Sequence, residues 1–207
     1  MKKVKKDTSH KKYDPYENLP KYIRDLGRKL EVYETRLDKE VLDNGLGYVI
    51  VSRKRMSGDI IYANYLVDIF CLGVKDVYYE IMSEEEYRER LTEIEEEFDV
   101  KLEMVDPMYC YNLIYGAIEY AEDLGFEPHK DFAIAEKLLP DVDDIDYVDI
   151  EFGKNGKPFF FQGPGDNAAK IIGTLERTVG PNNFDVFLAK DYLDEEDDDE
   201  YDEDDDE

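Results

Sequence analysis

The chain is poor in the residues that build covalent or metal-based chemistry. It has two cysteines in 207 residues, Cys71 and Cys110, and they form no C-x-x-C pair. That excludes a disulfide-built scaffold and fits a reducing compartment. It has two histidines, His10 and His129, with no H-x-H, no H-E-x-x-H and no mixed Cys/His set. A zinc centre draws on three or four such donors, so neither a metal nor any other cofactor is expected. No serine or cysteine stands in a recognisable nucleophile elbow. Tryptophan is absent, and aromatic character rests on 17 tyrosines and 10 phenylalanines. The longest apolar-rich stretch, residues 60–74, is broken by Asn64 and Asp68 and is too short to cross a bilayer. The N-terminus has charge but no apolar leader, so no signal peptide is expected. These absences together predict a cytoplasmic protein with no membrane association.

Positive charge is also scarce, and it is unevenly placed. Against 53 acids stand 26 Lys and Arg, a net charge of -27. The first twelve residues, MKKVKKDTSHKK, hold six Lys and one Asp, whereas residues 194–207 are all Asp or Glu except Tyr201. The stretch 13–193 between them carries -19. Neither end offers apolar surface to bury. The expected organisation is a disordered basic arm over 1–15, a single domain over 16–193 and a disordered acidic tail over 194–207. An acidic body repels the phosphate backbone, so nucleic acid is not expected as a broad-surface ligand. The tail, led by Asp194, Glu195, Glu196, Asp197, Asp198, Asp199 and Glu200, is the expected docking segment for a basic protein partner.

Within the body, hydrophobic spacing predicts the elements. Leu19, Ile23, Leu26 and Leu30 step by four, three and four behind a capping Asn18, which predicts a helix. The apolar runs 48–51 and 60–67 flank the turn-prone Met56-Ser-Gly-Asp59 and predict a β-hairpin whose sheet is covered for much of its length. Ser83-Glu-Glu-Glu86 reads as a capping box before the stripe Tyr87, Leu91, Ile94, Phe98. A more apolar helix is expected over 107–124, with Cys110, Ile114, Ala117, Ile118 and Ala121 inward. Some of its four tyrosines are left for the surface. A third helix is expected over 129–139. Alternation over 147–152, Asn155-Gly156 and the run 158–162 predict a second hairpin. A helix over 168–179 and a strand over 184–188 close the body. The fold class is α+β: two hairpins and a C-terminal strand packed with about five helices.

Five groups of residues are candidates for chemistry. In the strand-like stretch 65–76, YLVDIFCLGVKD, Asp68 is a polar group among apolar neighbours, and Lys75 and Asp76 follow Gly73. Read as one strand, it puts Asp68 and Cys71 on opposite faces, with Cys71 an inert core thiol. His129 and Asp131 offer a base with an orienting acid, or the first turn of a helix. Gly163-Pro-Gly-Asp-Asn-Ala168 matches G-x-G-x-x-A through Gly163, Gly165 and Ala168 between a strand and a helix. Pro164 and Asp166 oppose a phosphate there, and Asp166 reads instead as the helix cap. The acids 141–151 resemble half a calcium loop, but Asp146 and Phe152 occupy the places that need Gly and Glu. The last group is the acidic tail. Two functions follow as expectations. One is an interaction or regulatory module for a basic protein or a basic face of a nucleic-acid-processing assembly. The other is a carboxylate-based enzyme of hydrolase or nuclease type, with or without a metal, drawing on Asp68, Lys75, Asp76 and His129.

Overall fold

The computed structural model describes residues 14–188. The Lys-rich arm before residue 14 and the acidic tail, docking candidates included, lie outside the described residues. The elements are α1 (Leu19–Leu26), β1 (Glu31–Asp38), α2 (Val41–Asn44), β2 (Leu46–Lys54), β3 (Ile60–Asp68), β4 (Gly73–Met82) and α3 (Glu84–Phe98). After them come β5 (Leu102–Met104), α4 (Pro107–Asp123), α5 (Phe132–Ala135), β6 (Phe159–Phe161), α6 (Ala168–Thr178) and β7 (Asp185–Phe187). The class is α+β. A five-stranded antiparallel sheet runs in the order β4-β3-β2-β1-β5, and a parallel pair β6-β7 stands apart. Among the described residues no helix is long and apolar enough to cross a membrane.

The expected hairpin is the centre of the sheet. β2 and β3 pair without a break from Leu46–Asp68 to Lys54–Ile60. Their nearly continuous apolar runs are explained by cover on both faces. Odd-numbered β3 residues Ile61, Ala63, Tyr65 and Val67 join α4 in the larger core, together with Cys110, Leu113, Ile114, Ala117 and Ile118. Even-numbered Ile60 and Tyr62 face α3 and pack with Tyr87, Leu91 and Ile94. The Ser83–Glu86 capping box forms in both directions. Asn18 caps α1 through Lys21 N, as its sequence predicts.

Three strands of the sheet, β1, β4 and the short β5, are not evident in the apolar pattern. β1 holds Glu34, Thr35, Arg36 and Asp38, yet it pairs with β2 on one side and β5 on the other. Its polar side chains are satisfied locally. Arg36 Nε donates to Glu34 Oε1 at 2.7 Å, and Thr35 Oγ1 donates to Val105 O at 2.8 Å. β4 begins at Gly73, inside the YLVDIFCLGVKD stretch, and pairs along the whole of β3.

The expected third helix is shorter than its stripe. α5 has four residues and continues as a 3-10 turn to Leu138. The Asn155-Gly156 turn forms, with φ of +54° and +75° and a Lys154–Lys157 bridge. The strand that follows it takes a different partner: β6 pairs with β7 in parallel rather than with residues 147–152. α6 connects the two as a β-α-β unit. That unit packs on Cys71, Leu72 and Leu124 through Phe160 and Leu175.

Gly73, at φ +68°, lets α4 approach the β3–β4 turn. A Cβ there would stand 2.8 Å from Ala121 Cβ and 2.9 Å from Ala117 O. Gly73→Ala combines a left-handed backbone with a clash against a helix. We expect it to lower the unfolding free energy by roughly 2–4 kcal/mol in urea titrations, whereas Gly58→Ala, with open space around it, costs only the backbone strain of about 1–2 kcal/mol.

Candidate functional site

The stretch YLVDIFCLGVKD is not one strand. β3 ends at Asp68, residues 69–72 turn, and β4 starts at Gly73. The turn exists because Asp68 makes it. Its Oδ1 accepts from Phe70 N and Cys71 N, each at 2.9 Å. Asp68 is buried, and burial pushes its carboxyl up to about 6 against the pull of Lys75 and the turn amides. The expected strand placement of Cys71 is therefore corrected, while its inertness stands. Cys71 is fully buried, and burial drives its thiol far above the ordinary value. Cys110 is buried likewise, its thiol pushed up to about 12.

Lys75 occupies a bulge. Leu66 pairs with Asp76 and Val67 with Val74, which leaves Lys75 as the extra residue. Bulges re-aim side chains, and this one sends Lys75 to the C-terminal unit. Its Nζ donates to Asp166 Oδ2 at 2.7 Å. The Gly-rich candidate thus meets the strand-end candidate. Gly163-Pro-Gly-Asp166 is a turn with Asp166 N donating to Gly163 O, and Gly165 sits at φ +82°. Asp166 is not the cap of α6, as its sequence position suggests; Asn167 is, accepting from Lys170 N. The reason is electrostatic. Asp166 Oδ2 is taken by Lys75 and by Gly163 N at 2.8 Å. The loop's glycine amide already holds a carboxylate, and Ala168 opens the helix as a half-buried packing residue. Lys75 and Asp166 side chains are each 15% exposed, so the pair is a clasp between the main sheet and the β6-α6-β7 unit.

The other candidates gather beside this clasp without joining it. His129 Nδ1 lies 3.6 Å from Asp76 Oδ1 and 3.8 Å from Asp131 Oδ2, both beyond hydrogen-bond length, and its backbone N donates to Val74 O. Asp68 and Lys75 line a cavity of about 450 Å³ with Phe70, Phe159 and Phe161. His129 lines a different one with Asp166 and Lys170; Lys75 alone of the four enzyme candidates borders both. Asp68 is engaged by turn amides and Lys75 by Asp166, so neither is presented as a free base. Among the described residues, no three His, Cys, Asp or Glu side chains stand where they could hold a metal ion.

A second feature was only partly visible in the sequence. Residues 142–152 run alongside α4 without a backbone ladder. Asn112 substitutes for one: its Nδ2 donates to Asp146 O at 2.9 Å and its Oδ1 accepts from Val148 N at 3.0 Å. The Phe152 ring fills the space where a side chain on Gly116 would stand. The result is a groove of about 410 Å³. Its α4 wall is one helical stripe, Asn112, Tyr115, Gly116, Glu119, Tyr120 and Asp123, and Tyr147, 82% exposed, stands on the opposite rim. No Lys or Arg is among its lining residues. The acids at 141, 143, 144, 146, 149 and 151, which resembled half a calcium loop, are all exposed along this segment.

No family model matches this chain, and comparisons with curated proteins and with solved structures likewise find no match. The site must be read from its own chemistry.

The Asp68 turn has a pH signature. Below the unfolded value of about 4, both states hold the proton. Between there and about 6 the unfolded chain releases it and the native chain keeps it. Stability therefore falls as pH rises through that window and is level above it. Asp68→Asn keeps the acceptor oxygen and removes the titration. We expect the unfolding free energy of the wild type to drop relative to Asp68→Asn by on the order of 2–3 kcal/mol from pH 4 to pH 6. A rise over that range would mean that Lys75 outweighs burial and the carboxylate is the favoured native form.

Proposed function

We propose that the chain is an acidic docking module that takes a basic segment of a protein partner into the groove between α4 and residues 142–152. The observation that carries this reading is the groove's lining: Tyr115, Tyr120 and Tyr147 with Glu119 and Asp123, and no cation among them. Aromatic faces attract Lys and Arg heads, and carboxylates at the rim pair with them, Arg in bidentate fashion. The described body carries -19, which raises the encounter rate with a cationic partner and disfavours anionic ones. The tail extends the same field, and residues 194–200 act in steering rather than in the groove itself.

The test is fluorescence anisotropy of labelled peptides against the full chain. An Arg/Lys-rich peptide is expected to bind with a steep salt dependence, and an acidic peptide of equal length not to bind. Tyr147→Ala, and separately the pair Glu119→Gln with Asp123→Asn, are expected to weaken the basic peptide about three- to tenfold. Equal binding by groove variants and wild type would remove the groove from the function.

Deleting residues 194–207 separates the two roles. Association should slow and its salt slope flatten, while the groove variants keep their effect on dissociation. An unchanged salt slope in the truncated chain would take the tail out of the mechanism.

A further inference from the structure

β4 closes one side of the five-stranded sheet and leaves its outer edge open. It is an edge strand of ten residues, whereas the opposite edge is β5 with three. In an antiparallel ladder, alternate residues of an edge strand turn both N–H and C=O away from the neighbour. Val77 sets the phase. Its N–H donates to Asp76 Oδ1 at 2.8 Å rather than to β3. Tyr79 and Ile81, opposite Ala63 and Ile61, share that phase, so their backbone groups point outward as well. Among the described residues, no backbone group off the sheet bonds to them.

An open edge of this length is a template for another strand. Its first half is blunted: Val74 O accepts from His129 N, Lys75 bulges out, and Asp76 occupies the Val77 N–H with its own side chain. The stretch Val77-Tyr-Tyr-Glu-Ile81 has no such device, no lysine and no proline, and its Val, Tyr and Ile favour strands. The two flanks of this stretch differ. Toward α4 stand Tyr79 and Ile81, half-buried against the larger core. Toward α3 stand Asp76, Tyr78 and Glu80, and beside them the α3 residues Arg90, Glu93 and Glu97. Arg90, the one cation of that group, is already held by Glu80 at 3.9 Å and Glu93 at 3.0 Å.

A strand laid antiparallel along this edge places its residues opposite Val77, Tyr79 and Ile81 in hydrogen-bonded pairs. Their N–H groups face β4 and their side chains lie on the apolar flank. The residues between them face α3 and meet carboxylates. The edge therefore selects apolar residues alternating with Lys or Arg. It selects against a second copy of the chain, because acids would meet acids and each copy carries -27.

We propose that the open edge of β4 takes an extended cationic segment of a protein partner as a sixth strand. Its apolar side chains lie beside Tyr79 and Ile81, and its Lys or Arg side chains beside Asp76, Glu80, Glu93 and Glu97. No β4 residue lines the groove between α4 and residues 142–152, so the edge is a separate surface and stands or falls apart from it.

The probe is the end-blocked peptide Lys-Val-Lys-Val-Lys-Val-Lys, titrated into the full chain and followed by protein-observed NMR and amide hydrogen exchange. In the free chain the Tyr79 and Ile81 amides are expected to exchange fast, and the Tyr78 and Glu80 amides slowly. Saturating peptide is expected to slow Tyr79 and Ile81 at least about tenfold. Methylating the valine nitrogens is expected to abolish binding, and methylating the inner lysine nitrogens to leave affinity within about threefold, because only the valine amides face β4. Ile81→Pro removes an outward donor without touching the ladder, and is expected to weaken the peptide at least about tenfold. Glu93→Lys tests the same surface from an exposed helix face, leaving β4 intact, with a loss of about threefold or more. Tyr147→Ala is expected to leave this peptide's affinity unchanged. No saturation, unslowed Tyr79 and Ile81 amides, equal loss from the two methylated peptides, or a loss with Tyr147→Ala would each overturn the proposal. So would a dimer of the free chain that protects Tyr79 and Ile81, which gives the edge to a second copy. Tighter binding after removal of residues 1–13 would overturn it in favour of the chain's own Lys-rich arm.

Discussion

A single buried carboxylate sets the geometry from which the rest of the molecule hangs. Asp68 ends β3 because its Oδ1 collects the amides of Phe70 and Cys71 and turns the chain back. That turn then exports its carbonyls. Ile69 O accepts from Gly153 N, and Phe70 O accepts from Phe159 N, so both ends of the Asn155-Gly156 turn are fixed to it. Gly73 seats α4 against the same corner, and Lys75, two residues further on, reaches Asp166. A carboxylate is an expensive group to bury. Its cost is offset by backbone amides with no other partner and by a lysine in a bulge. The same arrangement removes Asp68 from the roster of available bases. A group already accepting from amides and facing a paired lysine holds a shape.

The sheet's central hairpin, α3 and α4 were legible because their signals are local. β2 and β3 have continuous apolar runs around a Ser-Gly-Asp turn, α3 carries its own cap, and α4 carries a stripe of small and aliphatic residues that are all buried. β1 was not legible. Its Glu34, Arg36 and Asp38 find partners on the strand itself or just beyond it, and pairing with β2 and β5 outweighs a polar sequence. The partner of β6 was equally hidden. Asn155-Gly156 encodes a reversal but not what lies beside the strand that follows, and the Phe159–Phe161 backbone goes to β7 across an intervening helix. Residues 147–152 alternate as a strand does, but here the alternation serves to rest on α4, with Asn112 supplying the hydrogen bonds that a neighbouring strand would have supplied.

The candidate residues show the same division between local and distant causes. Asp68 was recognisable as a buried polar group that needs a partner, and it has several. That Lys75 and Asp166 meet could not be read, because 91 residues separate them and only the bulge brings the lysine around. Arg53 is a further case. It is buried in the sheet, and its guanidinium donates to Leu138 O and Leu30 O at 2.8 Å each, tying the segments that follow α1 and α5 to β2. Nothing in the run Ser-Arg-Lys-Arg distinguishes that arginine from its neighbours. Burial pulls its guanidinium below the ordinary range, yet it remains a cation whose role is to satisfy carbonyls that no ladder reaches.

The two faces of the sheet differ in how their polar groups are placed. On the α4 side, acids and Tyr147 are exposed along a segment held by side-chain contacts. On the α3 side, the Tyr62 Oη, Asn64 Oδ1 and Arg90 Nε atoms are buried rather than exposed. A surface of the first kind gains from long-range fields and loses specificity as salt screens them. Asp76 stands between the two regimes. It sits opposite Leu66 at the bulge, lines a cavity beside α3, and faces His129 from the other side. Its neighbour Lys75 turns to Asp166, so the bulge joins the edge of the sheet to the β6-α6-β7 unit.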